Sequence, residues 1–398
     1  LLFIVVDGVN VLKNKKAFLL NIVLVIVSLS VSIFIIIKID NWFQLNLKQR
    51  ISRVFSTIEN KLEVKEIFYI LDNRVGWRLN PHTELKVKNN NGEFSLRTNS
   101  DGFIDREHYI NSSNYRIAIV GDSWVEAQQV PTHTRFTDLL EVIVATKSNY
   151  IENPEILNFG ISSLGTGHEY GVIKNFVLKY ELNEIWLVFF SGNDFSDNST
   201  VQNYPPFGPR YVYKNNNLID IQFGSIRNPQ LERNIYDEHA KKFNFQSGVT
   251  EWLYEIQPYL YNTGQEKNPI LDESLANTYH SLKLISEIVS KKGILLKIVY
   301  LPSNFEVDEA LWNEFKSSIK LNKKLELDPR LGEKKIKEFA GELNIEFISL
   351  FDLIKGRSVS VMYDDHFSLN GHYFLAHFLA DYYLAKKDKS VKPINGSP

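Results

Sequence analysis

The chain has 398 residues, with 45 Lys and Arg against 47 Asp and Glu and a net charge of −2. Near-neutral charge excludes the basic footprint of a nucleic-acid-binding protein, and 44% apolar with 23% charged residues excludes an acidic disordered chain. The complete absence of Cys removes thiol nucleophiles, disulfides, Cys-based zinc sites and iron–sulfur clusters together.

In chain order, residues 1–16 form a short tail that ends in Lys13, Lys15 and Lys16. Residues 17–38 read as a transmembrane helix. No charge occurs between Lys16 and Lys38, and only Asn21, Ser28, Ser30 and Ser32 interrupt the apolar run. At about 1.5 Å per helical residue this stretch spans about 31 Å, the thickness of a hydrocarbon core. Trp42 and Phe43 follow at interface depth. A buried core helix rarely stays apolar on every face for this length. A cleaved signal peptide is the other rival, but residues 33–37 carry the apolar run past Ser30-Val31-Ser32. The expectation is a single-pass anchor with its basic N-terminus cytoplasmic and the remaining chain outside.

Residues 39–67 read as a polar connector. Residues 68–113 read as strands and turns, with alternation at 84–88 and 94–98 around the Asn91-Gly92 turn predicting a hairpin. From Arg116 the pattern changes. Apolar strands at residues 117–120, 156–157, 185–190, 294–301 and 345–350 are separated by helical patterns at 137–145, 278–291 and 333–343. Near-continuous apolar strands alternating with helices predict an α/β fold: a doubly wound, five-stranded, mostly parallel sheet over residues 114–385. A last helix places Phe374, Leu375, Phe378, Leu379 and Tyr382 on one face. Residues 195–275 interrupt the alternation and read as an inserted, aromatic-rich subdomain, in which the run from Trp252 to Tyr261 is read as core. Residues 386–398 read as a tail.

Four features fall at the expected carboxyl edge of the sheet, where open α/β folds place their ligands. Strand 117–120 runs into Gly121-Asp122-Ser123, and Ile156-Leu157-Asn158-Phe159-Gly160 ends the second strand. Ser191-Gly192-Asn193-Asp194 follows the third, and Tyr363-Asp364-Asp365-His366 precedes the final helix. A Ser needs a base to become a nucleophile, and the His in this set is the base available. Asp122 reads as a turn or supporting acceptor and Asp194 as a cap of the helix or turn after the third strand; His372 and His377 read as packing or capping residues, and His168 as a loop residue without chemistry.

Gly-Asp-Ser, the strand-ending Gly, Gly-Asn-Asp and Asp-Asp-His, in this order, resemble the four blocks of the SGNH hydrolase superfamily, the GDSL-like lipases and esterases. The resemblance covers residues 114–384 apart from the insertion. Residues 76–81 and 97–103 also look like a segment that precedes the first block in some bacterial members. The resemblance implies a flavodoxin-like SGNH fold with catalytic Ser123, His366 and Asp364, and an oxyanion hole from Ser123 N–H, Gly160 N–H and the Asn193 side chain. It implies no cofactor and no metal. Two departures stand out: Tyr363 occupies the place where many members carry the acid, which selects Asp364 with Asp365 as the other choice, and Trp124 replaces a frequent Leu. The implied activity is ester hydrolysis through an acyl-enzyme, on an ester such as an acylated glycan, with carbohydrate O-acetyl groups favoured. The same site also fits an O-acyltransferase on surface glycans, a lysophospholipase or thioesterase, or a non-catalytic glycan-binding or assembly protein.

Overall fold

The computed structural model describes residues 68–147, 153–200, 208–214, 217–223, 260–264, 268–318, 326–355, 357, 363–364 and 366–390. The expected membrane helix at 17–38, the connector, most of the insertion and residues 391–398 lie outside the described residues. Among the described residues no helix is long and apolar enough to cross a membrane.

Two antiparallel hairpins open the described chain: β1 (Tyr69–Asp72) with β2 (Gly76–Leu79), then β3 (Glu84–Asn89) with β4 (Gly92–Arg97). The second is the hairpin expected from Asn91-Gly92, and Gly92 takes the positive φ its turn requires. The main sheet begins at β5 (Arg116–Gly121), followed by α1 (Ser123–Glu126) and α2 (Phe136–Lys147). Next come β6 (Glu155–Gly160), α3 (Thr166–Asn175), β7 (Glu184–Phe190) and the one-turn α4 (Asp194–Asp197). The described part of the insertion is an antiparallel hairpin, β8 (Arg210–Lys214) with β9 (Asn217–Gln222). Helix α5 (Pro269–Ser290) starts at Asn268, whose side chain accepts from Ile270 N and Leu271 N, with Pro269 at the position that lacks a donor anyway. Then follow β10 (Leu295–Leu301), α6 (Asn304–Val307), α7 (Glu309–Ser318), α8 (Leu331–Glu342), β11 (Glu346–Ser349) and α9 (Phe351–Ile354). The short pair β12 (Tyr363–Asp364) and β13 (His366–Phe367) leads into α10 (Leu369–Ser390).

The central sheet has five strands in the order β11-β10-β7-β5-β6, every neighbouring pair parallel. All five strands and the three helical patterns read from the sequence are present. Residues of β5 and β7 are buried on both faces, which is why their sequences show no alternation. One core layer packs α3, α5 and the insertion hairpin, through Leu218, Ile221 and Phe223, on one face of the sheet. The opposite layer packs α2, α9 and α10 on the other. In α10 the buried stripe is Leu375, Ala376, Leu379, Ala380 and Tyr383, with Phe374, Phe378 and Tyr382 at its margin. The two alanines let the helix approach closely, so the stripe lies one position further along than the large side chains indicate. The helix also runs to Ser390, past the Lys386 at which the sequence reading starts the tail. Tyr261 is fully buried, as expected for a core residue; residues 252–259 lie outside the described residues.

At the amino edge of the sheet, Lys297 Nζ meets Glu184 Oε2 at 2.6 Å with both side chains buried. Tyr115 Oη and Trp186 Nε1 also donate to Glu184, each at 2.6 Å. Removing one partner of such a pair strands the other charge without water. Lys297→Met is expected to destabilise the fold by about 3 kcal/mol, read by urea unfolding; a loss below about 0.5 kcal/mol would show that Tyr115 and Trp186 hold the carboxylate alone.

Candidate active site

Parallel strands align their carboxyl ends, so the residues after β5, β6 and β7 gather along one edge. Ser123 follows β5 at the first turn of α1, where backbone N–H groups have no partner within the helix. Asp122 occupies the cap position, and its Oδ1 accepts from Trp124 N at 2.9 Å. The paired glycines Gly121 and Gly160 end the two strands side by side. At Gly160 a Cβ would lie 2.1 Å from Glu126 N, so the strand edge meets the α1 backbone directly.

From the other end of the chain, His366 on β13 brings Nε2 to 2.7 Å from Ser123 Oγ. Both residues are half-buried, open enough for a substrate to reach. The Trp124 ring lies 4.9 Å from the His366 ring and 4.5 Å from that of Phe190, which restrains the imidazole from behind. The β12/β13 register sets Asp364 opposite His366. The Asp364 side chain and Asp365 lie outside what is described.

His372 supports this loop. It is fully buried, its Nδ1 accepts from Phe136 N at 3.2 Å, and its ring stacks on Phe136 at 6.1 Å. Burial first, then the Arg135 and His366 charges, push its pKa down to about 3. It is thus a neutral cap on the start of α2, in line with the packing or capping role read from the sequence. His377 packs its ring 4.3 Å from Tyr373. His168 is not a loop residue: it lies in α3, fully buried, between the rings of Trp77 at 4.8 Å and Phe223 at 5.4 Å.

Asn193 stands at the cap position of α4, half-buried at the same edge, and its Nδ2 donates to Asp197 Oδ2 at 2.7 Å. Of the two roles read for Asp194, the structure shows the turn: its Oδ2 accepts from Phe190 N at 2.8 Å and closes the turn after β7. Gly160 N–H is donated to Asn158 Oδ1 at 2.9 Å in this structure, so a role for it at an oxyanion requires that bond to be exchanged. Three residues on, Ser163 is exposed with a φ of 63°, a left-handed conformation that a Ser side chain disfavours.

Sequence reading missed what holds that turn. Glu126 is fully buried, accepts from Ser162 N at 3.0 Å and from Tyr69 Oη at 3.1 Å, and also bonds Ser162 Oγ. Trp77 Nε1 donates to Ser162 O at 3.1 Å. The partners come from β1, β2 and the turn after β6, and nothing in their spacing announces the contact. A further set of carboxyls, Asp122, Glu169 and Asp194, is fully buried beside Asn193, and burial raises all three. Among the described residues no group of three or more His, Asp or Glu side chains is arranged to hold a metal ion.

No protein-family model matches the chain, and no curated protein matches it. Among solved structures it is similar to GDSL- and SGNH-type lipases and esterases. The lipase/acylhydrolase from Enterococcus faecalis is 15% identical, with 68% of this chain and 96% of that one covered and a TM-score of 0.37. The psychrotrophic esterase EstA from Pseudoalteromonas sp. is 9% identical, covering 69% and 100%, with a TM-score of 0.37. The acetyl xylan esterase AlAXEase is 12% identical, covering 68% and 98%, with a TM-score of 0.36. At this identity and TM-score the functional reading rests on the geometry around Ser123.

Two outcomes are expected from this geometry. Gly160→Ala should lose soluble protein or cost more than about 2 kcal/mol because its Cβ meets backbone, whereas Ser163→Gly should gain up to about 1 kcal/mol by relieving the positive φ. Equal effects in thermal unfolding would contradict this. Burial pushes Glu126 up to about 7, above its ordinary value of 4.5. A group with a raised folded pKa stabilises fully below its unfolded pKa, and that stability is lost as pH rises through the folded value. Wild type should therefore lose about 3 kcal/mol between pH 4.5 and 8 from this group, and Glu126→Gln should remove that slope. Chemical unfolding at both pH values would show an unchanged slope if Glu126 were ordinary.

Proposed function

We propose that the chain is a serine ester hydrolase of the SGNH type that works through an acyl-enzyme. The observation that carries this is the 2.7 Å contact of Ser123 Oγ with His366 Nε2, between residues that only the fold brings together. A Ser hydroxyl next to a ring nitrogen at a half-open sheet edge is a nucleophile beside its base. For Nε2 to take the Ser123 proton, Nδ1 must carry the other ring hydrogen, and Asp364 is assigned as its acceptor and orienting partner. Attack on the ester carbon forms an Oγ–C bond and moves the carbonyl electrons onto oxygen. The oxyanion donors assigned are Ser123 N–H, the Asn193 amide and Gly160 N–H. The protonated His366 then gives its proton to the departing alkoxide, and the acyl group stays on Ser123 Oγ. Water, deprotonated by His366, releases it by the reverse sequence.

The substrate class favoured is a small acyl group on a hydrophilic alcohol, such as an O-acetylated carbohydrate. The Asn193 amide, half-buried at the same strand edge, is a polar group available there, which supports this choice over a long-chain lipid.

The purified protein is expected to label at Ser123 with a fluorophosphonate and to hydrolyse p-nitrophenyl acetate, and Ser123→Ala should lose both. Removing Asn193 as Asn193→Ala should lower kcat by about 10²–10³. Hydrolysis that survives Ser123→Ala, with no adduct on Ser123 by mass spectrometry, would end this reading.

A further inference from the structure

The oxyanion donor assigned to Asn193 is a side-chain amide, which can roll about its terminal bond unless something holds it. That hold is visible one helical turn away. Asn193 Nδ2 donates to Asp197 Oδ2 at 2.7 Å, so one of the two amide protons is committed and the amide plane is set. The backbone closes the same turn: Asp197 N donates to Asn193 O at 2.8 Å, and Ser196 Oγ donates to that carbonyl at 2.7 Å.

Asp197 is itself on a fixed frame. A Cβ at Gly165 would lie 2.8 Å from Asp197 Cβ, so the end of α4 is pressed against the start of α3. The next residue, Asn198, accepts from Gly167 N at 2.9 Å and donates to Thr166 Oγ1 at 3.1 Å and Thr278 Oγ1 at 3.0 Å. The backbone and Cβ of Asp197 are therefore fixed, which limits how far its carboxyl can follow a rotating amide. Asp122, the other acid beside the nucleophile, spends Oδ1 on Trp124 N and also has a side-chain hydrogen bond with Asn193, the bond that an oxyanion would take over.

We propose that Asp197 is a positioning residue for Asn193: its carboxylate takes one amide proton, fixes the plane, and leaves the second proton for the oxyanion. It touches no reacting atom. Its contribution lies in preorganisation, since a donor already aligned costs nothing to reorient as charge develops. The inference rests on Ser123 being the nucleophile and Asn193 a transition-state donor.

The test is a double-mutant cycle on the full chain with p-nitrophenyl acetate. Asp197→Ala should lower kcat by about 10- to 100-fold with KM changed less than about 3-fold, because the loss falls on the transition state. Asp197→Asn keeps the shape and an acceptor, so it should fold as wild type and lose less, about 3- to 10-fold. In an Asn193→Ala background neither substitution should lower kcat further, because the group being positioned is gone. The proposal is overturned if either substitution lowers kcat by the same factor with and without Asn193, or if a folded Asp197→Ala keeps wild-type kcat. If Asp197→Ala does not fold, the Asp197→Asn arm decides by the same criterion. A wild type that neither labels at Ser123 nor hydrolyses the ester removes both this and the parent reading; an active, labelled wild type with multiplicative effects removes this one alone.

Discussion

The contact from Ser123 Oγ to His366 Nε2 joins residues 243 positions apart, and everything else at the site depends on its being held. A Ser hydroxyl is inert unless a base sits within hydrogen-bond reach, so the fold must deliver two chain ends to one point with little slack. The parallel sheet does half of this by lining up the ends of β5, β6 and β7. The other half falls to the β13 loop, which the sheet does not contain. Phe367 is buried in the core layer beside α2, and Gln129 Nε2 donates to Phe367 O at 3.3 Å. His372 completes the clamp as an uncharged acceptor for the first turn of α2. A charged imidazole there would have to be buried beside Arg135, which is why its depressed pKa suits the task.

The layout of the sheet was legible because burial on both faces leaves a sequence trace. Continuous apolar runs in β5 and β7 survive as a pattern regardless of what packs on them. The pairing of Ser123 with His366 was legible for a related reason: each sits where a strand end or a pre-helix loop must be, and the four blocks come in order. The inward face of α10 was read one position off, because small residues pack closest and carry the weakest hydropathy signal. Ala376 and Ala380 are fully buried, while the larger Phe374 and Phe378 lie at the edge.

Other features had no sequence trace. Nothing in the sequence marks Glu126, yet the structure closes Tyr69 and Ser162 on it, with Trp77 bonded to Ser162 O, from three separate segments. Gly160 reads as a donor because it ends a strand; the Cβ clash with Glu126 N supplies a steric reason for its identity that no spacing could reveal. Ser163 hides a left-handed backbone behind a residue type that does not announce one. Asp197 is the exception. Its spacing of four from Asn193 is the interval at which helical side chains meet, and that signal was available in the sequence.

The carboxyls gathered behind Asn193 pose an electrostatic question. In the proposed reaction a tetrahedral intermediate would place a negative charge beside the Asn193 amide, and ionised acids nearby would oppose it. Burial resolves the conflict. Asp122, Glu169 and Asp194 are shielded from water and sit close enough to repel one another, so each extra negative charge is harder to form than the last. Burial opposes full ionisation of these acids, and of Asp197 beside the amide, so it lessens the negative charge behind Asn193. The same acids in contact with water would ionise and work against the anion. Burying them where the ends of β5 and β7 meet α3 and α4 would make an acid-rich wall compatible with the anionic transition state of the proposed reaction.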